Sequence, residues 1–110
     1  MEMLYIHCMN TLTLAYTLAR KSGKFEPKRV ERAHNLLLDK RTAILPTHEI
    51  DFPSDTEGFR VLPLADETGH IRICDCPDRR KTRTYCKHDI ARFLLWRAAH
   101  LRHTGRILIA

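Results

Sequence analysis

The hydrophobic pattern of this chain begins helical, turns to short strand-like pieces in the middle, and ends helical again. Over residues 11–21 the apolar positions Leu14, Ala15 and Leu18 fall along one face at helical spacing. Asn10 stands where an N-cap would, and Gly23 where such a helix would stop. The preceding MLYIHC is too short to assign: it reads as a strand or as the start of the helix. A second helix is predicted from Pro27, which suits a first helical position, to about Lys40, with Val30, Ala33 and Leu37 recurring on one side. Beyond Arg41 the period changes. TAILP and HEIDFP are short β-like segments, each closed by a proline, as edge strands and strand ends are. A polar turn at 54–58 leads to a strand at 59–64, a turn at 66–69 and a strand at 70–76, the last two strands forming a hairpin.

From about Lys87 to His103 the helical period returns. Ile90, Ala91, Leu94, Ala98 and Leu101 share a face that should cover the hairpin, while Arg92, Trp96, Ala99 and His103 share the opposite one. Trp96 then either meets a partner from that outward face or packs beneath the N-terminal helices. Gly105 closes the helix, and RILIA reads as a short final strand able to pair with an existing edge or with another chain. The class is α+β, in one domain of 110 residues with a helical part at 1–40 and a mixed part at 41–110.

The densest chemistry lies in CDCPDRRKTRTYCKH, residues 74–88. Cys74 and Cys76 are separated by one residue, as are Cys86 and His88. Residues i and i+2 of an extended chain point to one side, so Cys74 and Cys76 aim both sulfurs together while Ile71 and Ile73 aim the other way, towards a core. Cys86 and His88 sit at the start of the last helix and close the other half of the set. Three thiols and an imidazole suit one tetrahedral zinc ion in a closed, structural site. Two disulfides are the competing use of four cysteines, but a Cys74–Cys76 bond would close a strained small ring, and MEMLYIHCMN has neither the basic leader of a secretory signal nor the charge for one. A reducing, cytoplasmic setting favours metal. Cys8 belongs to no motif and reads as a small buried side chain. His34, His48 and His70 have no companion ligand at a suitable spacing.

Cys-x-Cys followed by Cys-x-His, with Pro77-Asp78 after the first pair and Cys86-Lys87-His88 as the second, resembles the SWIM zinc finger over about the last 50 residues. The resemblance implies a ββα unit around one zinc, here with two preceding helices and short extra strands. It implies a place among transposase-related, recombination-associated or helicase-like proteins, with DNA or another protein as partner. One departure is Arg79, which follows the Pro-Asp step where an aromatic often stands.

Charge bears on that choice. The net +6 is unevenly spread: from Ile71 onward ten Lys/Arg face three Asp, net +7, and the first 70 residues carry net −1. Arg79, Arg80, Lys81, Arg83, Lys87 and Arg92 cluster on the finger-like segment and its helix, the footprint expected of a phosphate-backbone binder. Part of this charge would also stabilise the thiolates. Two functions follow. In one, a zinc-stabilised protein grips nucleic acid, DNA before RNA, through these six cations, in the cytoplasm and at the nucleoid or in the nucleus. In the other, a zinc-stabilised module docks on a transposase, recombinase or helicase-like ATPase through RILIA or the Trp96 face. An enzyme is not expected: there is no glycine-rich phosphate loop, no nucleophile–base arrangement outside the metal set, and no open zinc position. No apolar run is long enough to cross a bilayer.

Overall fold

A computed structural model of the chain describes residues 2–54, 58–82 and 84–103. Helix α1 spans Glu2–Ser22. Asn10 is therefore interior to the helix and not its cap. An asparagine inside a helix costs only about 0.7 kcal/mol relative to alanine, too little to stop a run whose neighbours are helix-compatible. The C-terminus of α1 is closed as expected: Gly23 takes φ 71, the left-handed conformation that glycine adopts at least cost, and Ser22 Oγ donates to Ala19 O at 2.9 Å. Helix α2, Pro27–Leu38, begins on its proline. It stops because Asp39 turns extended, and Thr42 Oγ1 then donates to the end carbonyl of Leu36 at 2.6 Å.

The strands are β1 (Ala43–Ile44), β2 (Glu49–Ser54) and β3 (Gly58–Pro63), in one antiparallel sheet of order β1-β2-β3. Ile50 pairs with Leu62 and Phe52 with Arg60. The hairpin is thus β2–β3 and not 59–64 with 70–76, which is a correction to the sequence reading. Residues 70–76 take no regular secondary structure and join no ladder among the described residues. The turn at 66–69 does form, held by Asp66, whose Oδ1 accepts from the N–H groups of Thr68 and His70 and from Thr68 Oγ1. Ile73 is exposed and does not reach a core, while Ile71 is half-buried.

A short helix unforeseen in the sequence, α3 (Pro77–Thr82), starts directly after Cys76; α4 follows at Lys87–His103, as read from the sequence. The buried face of α4 is Ile90, Ala91, Leu94, Ala98 and Leu101, all nearly inaccessible. It packs on α1 and α2, where Ala15, Ala19, Val30 and Ala33 are small enough to allow close approach. Ile50 and Phe52 from the inner face of β2 complete the same core. Burying such side chains contributes about 1.5–3 kcal/mol each.

Trp96 does not stand free, and it shares a cavity wall with Leu12 of α1 and with Leu37 and Leu38 of α2. It is half-buried, its Nε1 donates to Glu67 O at 3.2 Å, and its ring covers Gly69. A Cβ on Gly69 would lie 3.0 Å from the indole, so glycine there lets turn and ring meet. The RILIA segment, Gly105 and Arg83 lie outside the described residues, as does the side chain of Cys8. Among the described residues no helix is long and apolar enough to cross a membrane.

Candidate metal centre

Cys74, Cys76, Cys86 and His88 are all buried, and their ligand atoms lie within 4.8 Å of one another. The irregular segment before α3 supplies Cys74 and Cys76; the residue before α4 and the first turn of α4 supply Cys86 and His88. The imidazole Nδ1 lies 3.8 Å from Cys74 Sγ and 3.7 Å from Cys86 Sγ. A tetrahedral zinc with Zn–S about 2.3 Å and Zn–N about 2.0–2.1 Å requires S···N edges of about 3.6 Å. Those two edges are therefore already close to the dimensions of a closed Cys3His site, within a set that spans up to 4.8 Å. No disulfide involves the three described cysteines.

The protonation of the thiols follows from their convergence. Cys74 is held well below the ordinary thiol range, chiefly by the hydrogen bond it accepts from Cys86, with His88 and the Cys76 N–H adding to it against the cost of burial. Cys86, the donor in that bond, is pushed up by the same contact and by burial. Convergent thiols of this kind bind a divalent cation in place of their protons. The Cys76 N–H donates to Cys74 Sγ at 3.4 Å, a bond that favours thiolate.

Behind the ligands stands a residue the sequence reading missed. Asp89 is fully buried. Its Oδ1 accepts from the Cys74 N–H at 2.9 Å and from Arg92 Nη2 at 2.7 Å; its Oδ2 accepts from the Cys86 N–H at 3.4 Å. One carboxylate thus holds the backbone of a ligand from each half of the set. Its bond to Cys86 is also the reach-back of an N3 acid to the residue before a helix, which helps start α4. The available signal was the Cys-x-His-Asp-x-x-Arg run, which puts Asp89 and Arg92 one helical turn apart beside the ligands.

Arg92 must be reassigned. It is fully buried, pairs with Asp89, and donates from Nε to His88 O at 3.3 Å and from Nη1 to Pro63 O at 2.9 Å. It ties α4 to the end of β3 and is not placed to meet a phosphate. The reason is electrostatic: a buried carboxylate needs a cation, and Arg92 is the nearest on its own helix. Arg79 is also drawn inward. Its Nε stands 3.6 Å from Asp89 Oδ2, an ion pair too long for a hydrogen bond, and its guanidinium lies over the Tyr85 ring at 5.9 Å. The cation at the Pro-Asp step therefore covers an aromatic from further along the loop. Of the remaining predicted contacts, Arg80 and Lys81 are exposed on α3 and Lys87 is half-buried at the start of α4.

The chain matches no protein-family model, no curated protein and no solved structure. The metal centre accordingly rests on geometry and donor chemistry: a buried, convergent Cys3His set able to hold one metal ion, consistent with a zinc-finger-like domain.

Proposed function

We propose that this chain is a zinc-stabilised nucleic-acid-binding domain of the SWIM type, with DNA as the preferred partner and no catalytic role. The observation that carries the reading is the position of α3: it begins at the residue after Cys76 and presents Arg80 and Lys81 to solvent. One zinc on Cys74, Cys76, Cys86 and His88 would supply cross-linking of the segment before α3 to α4. With four protein ligands it leaves no position for a substrate. The cations of α3 are then held on a fixed platform, which lowers the ordering cost of meeting a phosphate backbone.

Salt titration of DNA binding tests this. The slope of log K against log salt falls by about 0.9 for each phosphate contact removed. Arg80→Gln with Lys81→Gln should therefore reduce the slope by about 2 while zinc content is unchanged. Equal slope and affinity in the double variant would overturn the reading.

A second reading, docking on a transposase, recombinase or helicase-like ATPase, has one feature in its favour. A cavity of about 560 Å³ is lined by Leu37, Leu38, Ile44, Leu64, Leu95 and Trp96, with Ile44 61% exposed at its rim. Ile44→Lys should abolish such docking and leave the salt slope for DNA as it was.

A further inference from the structure

A second groove, of about 440 Å³, runs along the wall of the metal centre, with Cys76 and His88 among its lining residues. That volume is within the roughly 300–1,000 Å³ range of small-ligand sites. Its cations are Arg32, Arg41, Arg60 and Lys87, against the carboxylates Asp39 and Asp78. Both carboxylates are engaged: Asp39 with Arg41 at 2.9 Å, and Asp78 with Arg29, which does not line the groove, at 3.2 Å. Arg60 reaches the outlying Asp75 at 2.9 Å. Arg32 and Lys87 form no ion pair among the described residues. The groove therefore carries positive charge that the fold does not consume.

His88 provides an independent indication. Its Nε2 is buried and has no hydrogen-bond partner among the described residues. Its Nδ1 faces the sulfurs, so as a metal ligand the ring keeps its proton on Nε2. A ligating histidine almost always donates that proton to a carboxylate, a carbonyl or a water. Among the described residues no such acceptor is present, so this buried donor is left unmatched. An oxyanion in the adjoining groove, whose wall includes His88, would meet the two spare cations and offer that donor an acceptor. Three thiolates on a divalent ion leave a net negative centre, so an anion beside it needs both Arg32 and Lys87.

We propose that this groove is a phosphate-binding site, with Arg32 and Lys87 as charge partners and His88 Nε2–H as donor. The site deepens the nucleic-acid reading and rests on it only for the source of the phosphate, since a backbone phosphate and free inorganic phosphate offer the same oxygens.

The test uses the zinc-loaded full chain with inorganic phosphate, and separately with a DNA oligonucleotide, at constant ionic strength. Calorimetry reads affinity, and the imidazole N–H resonance of His88 reports on its donor. Saturable phosphate binding is expected, with a shift of that resonance. Arg32→Gln with Lys87→Gln should weaken it about tenfold or more at unchanged zinc content. Arg80→Gln with Lys81→Gln should leave phosphate binding intact and weaken the oligonucleotide alone. Phosphate binding lost in the groove variant, with no oligonucleotide binding by any form, supports the site, makes free phosphate its ligand and removes the nucleic-acid reading. Oligonucleotide binding without any phosphate site, or phosphate bound equally by the groove variant, overturns the site and leaves that reading standing.

Discussion

Replacing Asp89 with asparagine removes a buried charge and keeps the side chain's shape. Asp89 and Arg92 are both 0% exposed and 2.7 Å apart, so the change strands a guanidinium in the interior. Breaking a buried pair from one side costs about 3–5 kcal/mol. The asparagine keeps a single acceptor oxygen for the Cys74 and Cys86 N–H groups, and one lost bond adds about 1 kcal/mol. A loss of about 4 kcal/mol or more is expected from a total that is about 5–15 kcal/mol for ordinary domains. Because both amides belong to ligand residues, zinc affinity should also fall about 10–100-fold, or about 1.4–2.8 kcal/mol. The assays are urea unfolding in a zinc buffer that fixes free metal, and competition with a chromophoric chelator. A second variant separates charge from positioning. Asp89→Leu combined with Arg92→Met removes both charges, so most of the stability should return, while zinc affinity should stay low because the amides still lack their acceptor. Wild-type stability within about 0.5 kcal/mol and unchanged zinc affinity in Asp89→Asn would refute the reasoning.

Further expectations follow from the same structure. Gly69→Ala should cost about 1–3 kcal/mol, since φ is 86 and the new Cβ meets the Trp96 ring at 3.0 Å. Gly58→Ala, with φ 80 and open space around it, should cost only about 1 kcal/mol, and equal losses in thermal unfolding would contradict the role given to Trp96. His34 stacks on Tyr16 with ring centroids 4.2 Å apart, and burial lowers its pKa. Folding therefore favours the neutral ring: its contribution is complete above the unfolded value of about 6.5 and is lost as pH falls below that value and through the lower folded one. His34→Phe should flatten this part of the stability–pH curve between about pH 7 and 5; an unchanged curve would exclude His34 as its source. Stripping zinc with a chelator should remove about 10 kcal/mol of apparent binding energy. Hydrogen exchange should then accelerate first around the ligands in residues 70–76, which join no ladder among the described residues, and last at the α1–α4 contact; uniform protection with and without metal would count against the cross-link.

What the sequence disclosed was mostly local. The four residues of the candidate metal set were legible because their spacings are short and their donor chemistry is narrow, and α4 because its period runs unbroken through Leu101. The pairing of strands was not. HIRICDC alternates like a strand, but the Cys74 N–H goes to Asp89, a partner 15 residues away that no periodicity announces. The strand at 59–64 was found with the wrong neighbour, since β2 offers Ile50 and Phe52 to the core in register with Leu62 and Arg60. Arg92 was misassigned because a helical projection reads charge as outward. A buried carboxylate reverses that rule, and the i,i+3 spacing from Asp89 was the only trace of it in the chain. The short α3 was hidden by its basic residues, which carry no apolar stripe to reveal a helix.

The central claim is one metal ion held by Cys74, Cys76, Cys86 and His88. X-ray absorption at the zinc edge, with elemental analysis of the purified chain, tests it most directly. The account predicts one zinc per chain, with three sulfurs at about 2.3 Å and one nitrogen at about 2.0–2.1 Å, and loss of that signal when Cys74 and Cys86 are both replaced by serine. A metal-free protein that keeps the 70–86 segment ordered, or a zinc shell dominated by oxygen, would contradict it.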